Sequence, residues 1–160
     1  MSYLVPSEFV TKMVDAGESK IFMSTRDTLI RAYMAGAMRA LAAAWAVSVS
    51  VATGYPIIGA IFFPVGFCML LLMGFDLLTG VFVLTPLAWL DKRPGVTVKG
   101  ILRNWGLVFV GNFAGALTVA VMMSIVLTYG FSTAPNKVGQ LIAEIGANRT
   151  VGYKEYGAAG

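Results

Sequence analysis

From Tyr55 to Leu90 the chain is apolar but for one charge, Asp76. As one straight helix this run would be about 54 Å long, against roughly 30 Å of hydrocarbon in a bilayer. It must therefore tilt and protrude, or break. The natural break is the stretch "MGFDLLTG", Met73 to Gly80, where two glycines bracket the acid. That leaves two half-helices, about Pro56–Met73 and Val81–Leu90, around an irregular segment at 74–80. Irregular backbone at membrane depth is tolerated only where protein or a watery cavity surrounds it. Interrupted helices point to transport sites, because their ends offer unpaired backbone groups to a permeant ion. A glycine kink without function is the simpler alternative.

Composition agrees with a membrane setting. The chain is 58% hydrophobic and 12% charged, about half the charge of an average soluble domain. Two further apolar blocks, Tyr33–Thr53 and Trp105–Tyr129, each reach the roughly 20 residues that a span requires. The first begins well inside the chain and has no small-residue cleavage pattern after it, so it reads as a span and not as a signal peptide. The expected fold is all-α and integral to the membrane. Residues 1–23 form a cytoplasmic amphipathic helix, three spans follow at about 24–53, 56–90 (broken at 74–80) and 97–129, and 130–160 lie on the other side.

Basic residues set the topology. Lys12, Lys20, Arg26 and Arg31 precede the first span, and Lys92, Arg93, Lys99 and Arg103 lie between the second and third. The opposite side has only Lys137, Arg149 and Lys154. The positive-inside rule puts the N-terminus in the cytoplasm. No basic–aromatic surface for nucleic acid is present.

Local patterns fill in the elements. Phe9, Val10, Met13 and Val14 share one helical face, which suits a helix lying on the inner membrane surface or one packed on its own protein. Ser24-Thr-Arg-Asp27 resembles a capping box. Gly36, Ala40 and Ala44 on the first span, and Gly111-x-x-x-Gly115 on the third, allow close helix approach. Asn112 beside them is a buried amide that needs partners, as an interhelical strut or a pore-lining group.

The chain has no histidine and a single cysteine, Cys68. That removes the usual haem ligand and imidazole relay, and any intrachain disulfide. No metal-ligand spacing, nucleophile–base pair or nucleotide loop is present, so no enzyme and no cofactor is expected.

Three stretches, "AYMAG", "FFPVGFCMLLLMGFDLLTG" and "RNWGLVFVGNFAGAL", resemble the first, second and third transmembrane segments of the formate/nitrite transporter family. The resemblance runs from about Ser24 to Leu127 and on toward Lys154. It implies an aquaporin-like fold of two inverted halves, six spans per protomer, and a homopentamer in which each protomer has its own pore. It also implies passage of small monovalent anions such as formate, nitrite or hydrosulfide, in a bacterial or archaeal-type plasma membrane. The family's central pore histidine lies in a fifth segment beyond this chain's last residue, so the chain reads as the N-terminal part of a longer protein, the alternative being a separate partner that supplies the other half.

On that template Leu77, Leu78 and Thr79 match the loop at the broken helix. Phe63 and Phe67 match outer and inner constrictions, and Lys154 matches an anion-attracting lysine at the start of the fourth segment. The residues themselves leave simpler options open. Phe63 and Phe67 stand one helical turn apart and could face lipid. Thr79 could cap the next half-helix, and Lys154 could be an ordinary surface lysine. Gly74, Asp76, Gly80 and Asn112 are expected to shape the loop, Asp76 by accepting hydrogen bonds from backbone N–H groups, since a bare carboxylate would repel an anion. The competing function is a non-transporting three-helix scaffold subunit of a larger complex.

Overall fold

The computed structural model describes residues 5–150, and every regular element among them is an α-helix. The helices are α1 (Pro6–Phe22), α2 (Thr25–Thr53), α3 (Pro56–Phe62), α4 (Pro64–Leu72), α5 (Leu78–Leu90), α6 (Val98–Leu127) and α7 (Lys137–Arg149). Two of them, α2 and α6, are long and apolar enough to cross a membrane, while Pro56–Leu72 and Leu78–Leu90 are shorter apolar helices. The chain packs as two units. One comprises α1, α2 up to Met38, the chain from Met69 through α5, and α6 up to Leu117. The other runs from Arg39 to Cys68 and from Thr118 onward.

In the first unit the two small-residue surfaces meet each other. A side-chain carbon placed on Gly36 would stand 2.1 Å from the Asn112 carbonyl oxygen, and one on Gly115 would stand 2.0 Å from that of Tyr33. Glycine is what lets α2 and α6 touch backbone to backbone. The core on this contact is Ala32, Val81 and Val108, with Leu78 and Trp105 packed against it.

Helix α1 packs against α5. It buries Val14, Gly17 and Ile21, a stripe at helical spacing. Phe9 and Val10 of the expected apolar face stay exposed. The reason is Gly17, whose added Cβ would lie 2.0 Å from the Leu84 carbonyl oxygen, so the contact centres on the glycine. The serine cap holds at α2, where the Asp27 N–H donates to Ser24 Oγ at 3.1 Å. Asp27 answers through its carboxylate, which accepts from the Ser24 hydroxyl at 2.7 Å.

In the second unit α3 lies close on α2. A Cβ on Gly59 would meet Ser50 Oγ at 2.0 Å, and the Trp45 and Phe62 rings are 5.1 Å apart. Only Phe63 separates α3 from α4, because Pro64 has no N–H to continue the ladder. Helix α7 is capped by Asn136, whose side chain accepts from the Gly139 N–H at 3.0 Å. Ala40, Ala44, Val119, Met123, Leu127 and Ile142 line an apolar cavity of about 450 Å³ in this unit.

Candidate functional site

The helix break is built by hydrogen bonds at both of its ends. Helix α4 ends at Leu72, and Gly74 in the turn after it has φ +69°. The Gly74 N–H donates to the Leu71 carbonyl at 3.1 Å and the Phe75 N–H to the Leu70 carbonyl at 3.0 Å. These paired backward bonds satisfy two of the carbonyls that a helix end leaves open. Leu70, buried at 1% exposure, anchors that turn.

Helix α5 resumes at Leu78, three residues ahead of the expected Val81, so Thr79 and Gly80 sit in its first turn. The early restart has a cause outside the segment. Its N-cap residue, Leu77, offers no side-chain cap. The Leu78 N–H donates instead to Asn112 Oδ1 of α6 at 3.0 Å. The Asn112 amide donates in turn to the carbonyls of Ala32 and Asp76, each at 2.8 Å. One amide thus ties α2, the loop and α5 to α6.

Asp76 is buried to 1% exposure. Its carboxylate Oδ1 accepts from the Lys20 ammonium of α1, and not from backbone N–H groups as the sequence reading expects. The other oxygen, Oδ2, is buried and has no hydrogen-bond partner among the described residues. A buried charge needs a counter-charge, and here it comes from a helix remote in sequence. The same helix is held a second time by Arg93, whose guanidinium reaches Asp15 at 2.7 Å, Asp91 at 2.9 Å and Glu18 at 3.6 Å.

The remaining candidates divide. Leu77 and Leu78 are half-buried, and Leu78 packs on the Ala32–Val81–Val108 core. Thr79 is exposed. Helical hydroxyls elsewhere, such as those of Thr28, Ser50 and Thr85, donate to the carbonyl four residues back. Thr79 is too near the start of α5 for that, and its hydroxyl has no hydrogen-bond partner among the described residues. A Cβ on Gly80 would meet nothing within 4 Å. Phe63 and Phe67 meet each other edge to face, with centroids 5.4 Å apart and planes at 72°. Lys154 lies outside the described residues.

Two participants go unread in the sequence. Lys20 stands among the charges that set topology, although a lone buried acid calls for a cation near it. Asn104, fully buried, donates to the Lys20 carbonyl at 3.0 Å.

These features define a helical membrane protein with an interrupted apolar helix whose loop is pinned by side chains from other helices. A sequence model of the formate/nitrite transporter family matches residues 7–153, and the chain belongs to that family. It is 34% identical over 114 residues to a probable formate transporter of Methanothermobacter thermautotrophicus, covering 67% of this chain and 39% of that protein. It is 30% identical over 128 residues to the uncharacterized transporter YrhG of Bacillus subtilis (strain 168), covering 75% of this chain and 47% of the relative. It is 27% identical over 128 residues to the formate channel BtFdhC of Bacillus thuringiensis, covering 75% of this chain and 48% of the relative. The chain thus spans less than half the length of these curated relatives. No solved structure matches it.

Proposed function

We propose that this chain forms part of a membrane passage for small monovalent anions of the formate, nitrite or hydrosulfide class. The observation that carries the reading is the interrupted helix at Met73–Leu77, in a chain of the formate/nitrite transporter family. A scaffold helix has no use for such a break, whose peptide groups are costly at membrane depth unless partnered. Here Asn112 partners peptide groups of the break from another helix, and Lys20 partners the Asp76 carboxylate.

In this reading Leu77 and Thr79 lie on the path, with the Thr79 hydroxyl donating to the anion. Leu78 divides its side chain between path and core. Phe63 and Phe67 form apolar constrictions, which exclude hydrated ions by dewetting, and Lys154 draws anions toward the entrance. Asp76 is neutralised by Lys20 so that it does not repel the permeant ion. The complete protein is a pentamer of six-span, aquaporin-like protomers with inverted halves, its N-terminus in the cytoplasm.

The test is reconstitution of the complete gene product in liposomes, followed by formate and nitrite flux. Flux well above that of empty liposomes is the expected result. Flux equal to theirs overturns the proposal.

A further inference from the structure

We infer that Asn104 is a positioning residue: by holding the Lys20 carbonyl it sets where the Lys20 ammonium meets Asp76, and so fixes the loop between α4 and α5. The inference rests on the reading of that loop as part of the anion path.

Helix α1 ends without a left-handed cap, since Met23 after it is extended at φ −61° and ψ 146°. The carbonyls of its last turn therefore need donors from elsewhere. The Asn104 amide, fully buried on α6, supplies one to Lys20 at 3.0 Å. Arg103 beside it fastens the following link, with Nη2 donating to Thr25 Oγ1 at 2.6 Å and Nη1 lying 3.5 Å from the Met23 carbonyl. The main chain of Lys20 is held by α6, and its side chain holds Asp76.

Stability alone does not account for Asn104. Its Oδ1 is buried with no hydrogen-bond partner among the described residues. The unpaired oxygen offsets part of what the one hydrogen bond of this buried amide contributes. Its neighbours on the same face of α6, Ile101 and Val108, are apolar core residues. What an apolar residue could not do at this position is donate to the Lys20 carbonyl. Asn112 stands about two turns further along α6 and holds the other end of the same linkage, at Asp76 and Leu78. Two asparagines on one helix thus set the two anchor points of the Lys20–Asp76 pair.

The test is hydrogen exchange in the complete gene product, read on peptides covering 20–23 and 75–78. Asn104→Leu removes the donor and the orphan oxygen together and leaves the Lys20 carbonyl unpaired, so the effect is read as local exchange, with assembly kept. Exchange in both segments is expected to rise about tenfold, the factor given by losing one buried hydrogen bond. In a Lys20→Met background, Asn104→Leu should add less than about twofold on 75–78, because two residues acting through one linkage are not additive. Wild-type exchange at 75–78 in Asn104→Leu overturns the inference, and so does a full undiminished effect in the Lys20→Met background. Asn104→Ala, which also lacks the donor and adds no charge, carries the same expectation where the leucine variant does not assemble. The exchange comparison does not depend on transport, so absence of formate flux in the wild type would count against the proposed function alone.

Discussion

Lys20 and Asp76, separated by 56 positions in the chain, form an ion pair in which the carboxylate side chain is fully buried and the lysine is 15% exposed. Breaking one side of such a pair leaves an uncompensated charge in the interior. Lys20→Met is therefore expected to destabilise the folded protein by about 3–5 kcal/mol. Lys20→Met with Asp76→Leu should recover most of that loss, since two apolar groups leave no orphan charge. Unfolding midpoints of the two singles and the double check this, and a double variant as unstable as the sum of the singles would remove the coupling.

The two glycines that bracket the acid should respond oppositely. Gly74 has φ +69° and open space around it, so Gly74→Ala costs only the left-handed conformation, roughly 1–2 kcal/mol. Gly80 is helical with nothing within 4 Å of an added Cβ. There alanine should stabilise by about 0.5–1 kcal/mol. Midpoints shifting in the same direction for both would contradict the assignment of one to a turn and the other to a helix.

Much of this region was legible in the residues. A long apolar run with Gly74 and Asp76 inside it demanded a break, and a break is there. Gly36, Gly111 and Gly115 announced close helix contacts, and α2 and α6 meet through them. The restart of α5 at Leu78 was not legible, because its cap is Asn112, contributed by a helix far along the chain. Lys20 was hidden for the same reason. Which face of α1 is buried depends on where Gly17 meets Leu84, a tertiary fact that the local pattern of Phe9, Val10, Met13 and Val14 meets only at Val14.

Asn112 carries three hydrogen bonds to backbone groups. Asn112→Leu leaves the Leu78 N–H and the Ala32 and Asp76 carbonyls without it. A buried backbone group left unpaired costs about 1–3 kcal/mol. The Leu78 amide should become fast-exchanging and anion flux should fall with it. A Leu78 amide as protected as in the wild type would mean that the α5 start does not need this cap.

The Thr79 hydroxyl separates a path residue from a helix-start residue. Thr79→Val keeps the shape and removes the donor, and Thr79→Ser keeps the donor. Flux should drop in the valine variant and persist in the serine variant, with assembly equal in both. Unchanged flux in Thr79→Val would take the hydroxyl off the anion path.

Gly17 offers a way to move α1 without touching a charge. A Cβ there would lie 2.0 Å from the Leu84 carbonyl oxygen and 3.4 Å from Ala88 Cβ, and both belong to helix backbone or to a short side chain that cannot swing aside. Gly17→Val must push α1 off α5, an overpacking cost of about 1–3 kcal/mol. The displacement would also draw Lys20, one turn further along, away from Asp76. Hydrogen exchange should therefore rise at 75–78 as well as along α1, although the substitution lies on neither the loop nor the ion pair. Faster exchange confined to α1, with the loop as protected as before, would show that α1 and the loop are held independently.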